Sequence, residues 1–340
     1  MKATFFSTLA TLAGAAVATP VEVVTRNSVT AAQFENFQLF AQYSAAAFCN
    51  NENPVGQKVE CGGPWCPVVE AANVTTYGTF IGAVTDARGL IAVDHTNKLI
   101  VVSYRGTVSA RNWITDLVFP QIPCDLTLGC LVHTGFFAAW NELKAKTTTQ
   151  LKAATTAFPK YQVIVTGHSL GGALATIAAG YLRNAGFKAD LYTYGSPRVG
   201  NSIFVKYVNN QAGGEYRVTH EGDPIARLPP IIFNYRHTSP EYWLLDPTAG
   251  PSDVTVCTGH ANIGCSASRT TFDLAEHGTY FNAPVNGCEQ LPGTPWRTRD
   301  VTPAPPTTPR RGLSDAELAK QLAEWAKEDM TFAADVMGRA

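Results

Sequence analysis

Residues 161–172 read Tyr-Gln-Val-Ile-Val-Thr-Gly-His-Ser-Leu-Gly-Gly, an apolar run that leads straight into Gly-x-Ser-x-Gly. Val163, Ile164 and Val165 are β-branched and suit a buried parallel strand. Gly167 and Gly171 flank Ser169, where a sharp turn needs a backbone free of Cβ and the following helix must pass close by. The stretch from Gly171 to Ala179 is small and apolar, as a helix packed tightly on a sheet requires. A serine on such a strand-to-helix turn is a nucleophile elbow. The bland alternative is a glycine-rich turn with an incidental serine, and the strand before it and helix after it argue against that.

Outward from this turn, strand and helix patterns alternate. Thr30 to Cys49 predicts a helix, because Phe34, Phe37, Phe40, Ala41, Ser44 and Phe48 recur at helical spacing and Thr30 with Gln33 forms a capping box. Leu99 to Tyr104 predicts a buried strand, residues 136–158 a helix, and residues 190–194 and 215–219 two further strands. The alternation predicts an α/β-hydrolase-like fold with a largely parallel central sheet. After Cys288 the composition changes. Residues 291–311 hold six prolines and four arginines, the signature of an extended linker. Beyond it Ser314 and Glu317 form a capping box and Leu313 and Leu318 a hydrophobic staple. Leu318, Leu322, Trp325, Phe332 and Val336 then mark one face of a helix that is too small to be a domain. Three fates are open to it: docking back on the enzyme, contact with another protein or surface, or removal.

The chain has 340 residues, 45% of them hydrophobic and 16% charged, with a net charge of −1. Nothing in this balance suggests nucleic acid as a partner, and none is expected. Lys2, the apolar stretch from Phe5 to Val17 and the small residues Ala16-Val17-Ala18 form a secretory signal, with cleavage expected after Ala18. Ser7, Thr8 and Thr11 interrupt that stretch, and no later stretch suffices for a transmembrane segment. The expected organisation is thus a signal peptide at 1–18, a short propeptide or arm at 19–29, a catalytic domain at 30–290, a linker at 291–313 and a helix at 314–340. The expected location is extracellular, and the expected oligomeric state is a monomer.

Eight cysteines fit an oxidising compartment. Cys61–Cys66, Cys124–Cys130 and Cys257–Cys265 are the natural local pairs, which leaves Cys49 with Cys288. That last bridge would close a long loop, worth on the order of 4 kcal/mol in the chain-entropy model. Without repeated CxxC spacing or an HExxH, no metal site is expected, nor is a cofactor. Asn73-Val74-Thr75 is an N-glycosylation sequon.

A serine nucleophile needs a general base, and the base a carboxylate to orient it. Asp223 is the favoured acid because it follows the strand ending at Val218, on the rim where the elbow lies. Glu221 and Asp246 compete, whereas Asp190 begins its strand and lies at the wrong end. Of His220, His237, His260 and His277, the last is the choice; His260 falls within a disulfide loop, and His168 reads as a buried hydrogen-bonding residue. The backbone N–H of Leu170, just after the nucleophile, is the first oxyanion donor.

The residues together resemble the filamentous-fungal class 3 lipase family, which includes triacylglycerol lipases and related feruloyl esterases. The likeness covers much of residues 30–288. It is carried by Tyr104-Arg105-Gly106-Thr107, by Val132-His133-Thr134-Gly135-Phe136 and by the elbow. Residues 194–200 (Tyr-Gly-Ser-Pro-Arg-Val-Gly), Arg217 through Asp223 and Leu228-Pro229-Pro230 complete it. The cysteine positions also fit the family's bridges. The resemblance implies Ser169, Asp223 and His277 as triad and Thr107 as the second oxyanion donor.

Residues 109–119 place Trp113, Ile114, Leu117 and Val118 on one face of a short helix. This is either an ordinary surface helix or an amphipathic lid. Asn112-Trp113-Ile114 resembles the lid of the fungal triacylglycerol lipases, which makes a lipid–water interface the expected partner and tri- or diacylglycerol the expected substrate. The alternatives are a feruloyl esterase acting on plant polysaccharide, and a non-catalytic lipid- or glycan-binding protein on the same fold.

Overall fold

The computed structural model describes residues 29–107, 119–246, 250–260, 262–288 and 314–338. The expected lid residues Trp113, Ile114 and Leu117 lie outside the described residues, as do the signal and linker segments.

In chain order the helices are α1 (Ala31–Asn50), α2 (Pro67–Ala71), α3 (Thr134–Ala157), α4 (Leu170–Asn184), α5 (Ser202–Asn209), α6 (Leu274–His277) and α7 (Asp315–Gly338). The strands are β1 (Val74–Ile81), β2 (Arg88–Asp94), β3 (Leu99–Tyr104), β4 (Gln121–Pro123), β5 (Leu131–His133), β6 (Gln162–His168), β7 (Ala189–Tyr194), β8 (Glu215–His220), β9 (Glu241–Leu244), β10 (Val254–Cys257), β11 (Thr279–Tyr280) and β12 (Ala283–Pro284). The main sheet runs β1-β2-β3-β6-β7-β8-β9-β10. Its centre, β3 through β9 in that order, is parallel, and both edges close with antiparallel pairs.

Period-2 alternation sorts the central strands onto two cores. Ile100, Val102, Val163, Val165 and Leu191 pack with Trp140 and Leu143 of α3 and Leu174 and Ile177 of α4. Val101, Ile164, Tyr192 and Val218 face the other way, onto Phe37, Phe40 and Ala41 of α1. The α1 register predicted from its phenylalanines is thus the one observed, and Thr30 and Gln33 make both bonds of the capping box. The Tyr194 hydroxyl bonds the Phe37 carbonyl at 2.7 Å, tying α1 across the sheet.

Three of the expected disulfides are present, Cys61–Cys66, Cys124–Cys130 and Cys257–Cys265. The fourth differs from expectation. Cys49 and Cys288 are neighbours but remain free thiols. The Cys49 thiol is hydrogen-bonded with the Cys288 side chain and lies 3.9 Å from the carbonyls of Ala45 and Gly287.

The C-terminal helix α7 takes the first of its three fates. Leu318 and Leu322 pack on Ile225 and Leu228, with Phe272, Leu274 and Trp325 around them. Asp329, 1% exposed, accepts from Arg198 at 2.7 Å and from the Ile231 N–H at 2.8 Å. The capping box of Ser314 and Glu317 is formed. No described helix is long and apolar enough to cross a membrane.

Candidate active site

The site begins where β6 ends. Ser169 sits between β6 and α4 with φ 58° and ψ −127°, a conformation that costs an L-residue of order 1–3 kcal/mol and is held only by surrounding structure. Its N–H donates to the Tyr194 carbonyl at 2.9 Å, binding the turn to the adjacent strand end. A Cβ on Gly167 would lie 2.3 Å from the Gly171 carbonyl, and one on Gly171 would lie 2.1 Å from the Tyr104 carbonyl. Only glycine allows the turn to close on itself and on the end of β3.

His277 closes α6, and its Nδ1 donates to Asp223 Oδ2 at 2.8 Å. Asp223 follows β8, accepts the Ile225 N–H on Oδ1 at 2.8 Å, and takes the Tyr280 hydroxyl on Oδ2 at 3.2 Å. With Nδ1 committed as a donor, Nε2 carries the lone pair, and that nitrogen is buried with no partner among the described residues. Gly195 lies between the pieces: a Cβ there would be 2.6 Å from Asp223 Oδ2 and 2.9 Å from His277 Nδ1. Ser169, Asp223 and His277 are 3%, 2% and 2% exposed, so the site is closed to solvent.

The segment after β3 reaches the same place. A Cβ on Gly106 would lie 3.4 Å from the Ser169 Cβ and 2.8 Å from the His168 carbonyl. Thr107 follows it, and its buried hydroxyl has no partner among the described residues. Leu170 opens α4, so its N–H has no carbonyl within the helix to bond.

The competing residues are committed elsewhere. Glu221 pairs with Arg269 at 2.6 Å, and it is Asp223 rather than Glu221 or Asp246 that meets His277. His237 bonds the Ala226 carbonyl at 2.6 Å, and His260 bonds the His237 carbonyl at 3.1 Å. His133 caps α3 by accepting the N–H groups of Gly135 and Phe136. Cys61, Cys66 and Glu70 lie close enough together to suggest a metal, but the cysteines are bonded to each other and Glu70 accepts the Cys61 and Gly62 N–H groups. Asn73 is exposed at the start of β1. The sequence reading missed Tyr280, three residues beyond His277, and the role of Gly195, which carries no signal apart from its place in a short motif.

A parallel sheet with a strained serine at the end of a central strand, and a buried histidine–aspartate pair packed against the neighbouring strand end, is the architecture of an α/β hydrolase. The pattern described as Lipase (class 3) matches residues 101–233, and that of the Lipase 3 N-terminal region matches residues 5–77. The secreted mono- and diacylglycerol lipase 1 of Fusarium solani is 44% identical over 330 residues, covering 93% of this chain and 95% of that protein. The secreted mono- and diacylglycerol lipase A of Penicillium cyclopium is 37% identical over 308 residues, covering 87% and 99%. The crystal structure of the mono- and diacylglycerol lipase from Aspergillus oryzae matches with a TM-score of 0.72 and 38% identity, over 76% of this chain and 99% of that one. The chain belongs to the class 3 lipase family, and it is a hydrolase of lipid carboxylic esters.

Proposed function

We propose that the chain is a secreted acylglycerol lipase that works through an acyl-enzyme on Ser169, with partial acylglycerols among its substrates. The observation that carries the mechanism is the buried His277–Asp223 pair, whose Nε2 is left uncommitted and whose histidine backbone is bonded by His168, the neighbour of a serine held in a strained turn. Ser169 attacks the ester carbonyl while His277 Nε2 takes its proton, and Asp223 steadies the imidazolium. The oxyanion is received by the N–H of Leu170 and by Thr107, whose unpartnered hydroxyl is a free donor. His277 returns the proton to the leaving alcohol, and water then releases the fatty acid. Mono- and diacylglycerols as substrates are supported by the names of the two secreted relatives.

The closed site requires an opening before substrate can enter, which supports a lid at residues 109–119 that lifts at a lipid surface. Residues 1–18 serve as signal peptide and 19–29 as propeptide or arm, ahead of a catalytic domain spanning 30–290. Asn73 carries the glycan.

The deciding experiment follows the rate on tributyrin as its concentration passes the solubility limit, and then on emulsified mono-, di- and triacylglycerols. A jump at saturation with long-chain activity is expected. Smooth saturation and activity only on hydroxycinnamoyl esters would make the protein a feruloyl esterase instead. Ser169→Ala is expected to abolish hydrolysis, and surviving activity would remove the acyl-enzyme assignment.

A further inference from the structure

Asp223 and His277 stand on different pieces of chain, the turn after β8 and helix α6, and two side chains outside the triad, Glu276 and His220, join them. Glu276 Oε2 accepts the Gly222 N–H at 2.5 Å. The main-chain carbonyl of Glu276 accepts from His220 Nδ1 at 2.9 Å. The seam between the segments is tight: a Cβ on Gly222 would lie 2.6 Å from the Thr271 carbonyl and 3.2 Å from Glu276 Oε2. On its other side the turn is bolted to the sheet. The Glu221 N–H donates to the Leu244 carbonyl at 2.9 Å, and its carbonyl accepts the Trp243 indole at 3.1 Å. The turn is therefore pinned to β9 through Glu221 and to the base-bearing helix through Glu276.

The surroundings of Glu276 favour that bond. His220 and Glu221 face it from the turn, Asp273 from its own helix and Tyr280 from β11, while Arg269 is taken by Glu221. Burial pushes the Glu276 carboxyl up, and the Gly222 N–H with His220 pulls it back. A half-buried carboxylate among other acids has few ways to recover its lost hydration, and the Gly222 N–H is one of them.

We propose that Glu276 is a positioning residue: its bond to Gly222 fixes the acid-bearing turn against the base-bearing helix and so sets the contact between Asp223 and His277. The proposal rests on the Ser169–His277–Asp223 assignment. Without the bond, the turn keeps its anchor on the sheet and drifts relative to α6, and small misplacements of catalytic groups cost rate rather than binding.

The test uses the full chain and dissolved p-nitrophenyl butyrate below its solubility limit. Glu276→Ala is expected to lower kcat about 10- to 100-fold with KM changed less than about twofold. The acid limb of its kcat/KM profile should move to lower pH, because an imidazolium less closely met by Asp223 is less stabilised. Glu276→Gln loses the charge but keeps an acceptor, and is expected to stay within about threefold of the parent, with the parent's profile. An unaltered Glu276→Ala overturns the proposal. So does a Glu276→Gln that falls as far as the alanine variant, since charge rather than the bond would then matter. Gly222→Ala wedges the same seam, against the Thr271 carbonyl and Glu276 Oε2, with the Glu276 residue itself unchanged, and should show the same loss in kcat; full activity there counts against the proposal even if Glu276→Ala does not fold. Ser169→Ala and Asp223→Asn run beside these variants. Activity surviving in them would remove the triad assignment, whereas inactive controls beside an intact Glu276→Ala would remove the positioning role alone.

Discussion

His168 donates its Nε2–H to the main-chain carbonyl of His277 at 2.6 Å, and the two rings lie 4.4 Å apart between centroids. The residue before Ser169, the proposed nucleophile, thus holds the backbone of His277, the proposed base. The serine turn and the base are joined directly, 109 positions apart in sequence. The other nitrogen of His168 is buried without a partner, which suits a neutral ring.

This neutrality has a consequence for acid stability. Burial pushes His168 well below the ordinary imidazole range, with His277 adding to it, and burial then Arg217 and Arg198 do the same to His237. In the unfolded chain both take up protons as the pH falls below about 6.5, while the folded protein resists. Stability is therefore expected to fall with pH below that value, approaching about 1.4 kcal/mol per pH unit for each histidine. Urea unfolding at pH 7, 6 and 5 checks this: His237→Gln should show a shallower fall than the parent, and equal slopes would refute it.

Thr107 offers a cleaner probe of oxyanion binding, since its hydroxyl has no other partner among the described residues to lose. Thr107→Val is expected to reduce kcat by about 10²–10³, with Thr107→Ser near the parent. Parent-like turnover in the valine variant would confine the residue to its backbone N–H.

The Arg198–Asp329 pair, 2% and 1% exposed at its side chains, anchors the C-terminal helix. Removing one partner of a buried pair typically costs about 3–5 kcal/mol, less where the helix lifts and water reaches the arginine. Asp329→Ala is expected to lower Tm and to speed protease cleavage of the 289–313 segment. If neither changes, the apolar contacts of Leu318 and Leu322 hold the helix by themselves.

Trp113→Ala is expected to impair hydrolysis of emulsified acylglycerol more than that of a dissolved short ester, because a lid works only at an interface. Parallel assays on the two substrates decide it, and equal losses would make residues 109–119 an ordinary surface helix.

Features under short-range control could be read from the residues alone. The elbow was legible because Ser169 needs a Cβ-free neighbourhood, and glycine is the one residue that supplies it. The strands and α1 were legible because apolar spacing and a capping box need no distant partner. Local cysteine pairs were readable for the same reason, and Asp223 was readable because a strand end fixes its rim. The features that needed the fold lie across long separations. His277 meets Asp223 from 54 positions away, and Asp329 reaches the Ile231 N–H from 98. Tyr280, Glu276 and the docking partner of α7 carry no local pattern, and the motif around Gly195 does not reveal its role, because each acquires that role from a neighbour that packing brings within a few ångströms. Cys49 and Cys288 show the limit from the other side: elimination paired them and the fold made them hydrogen-bonded neighbours, yet both are free cysteines in the structure.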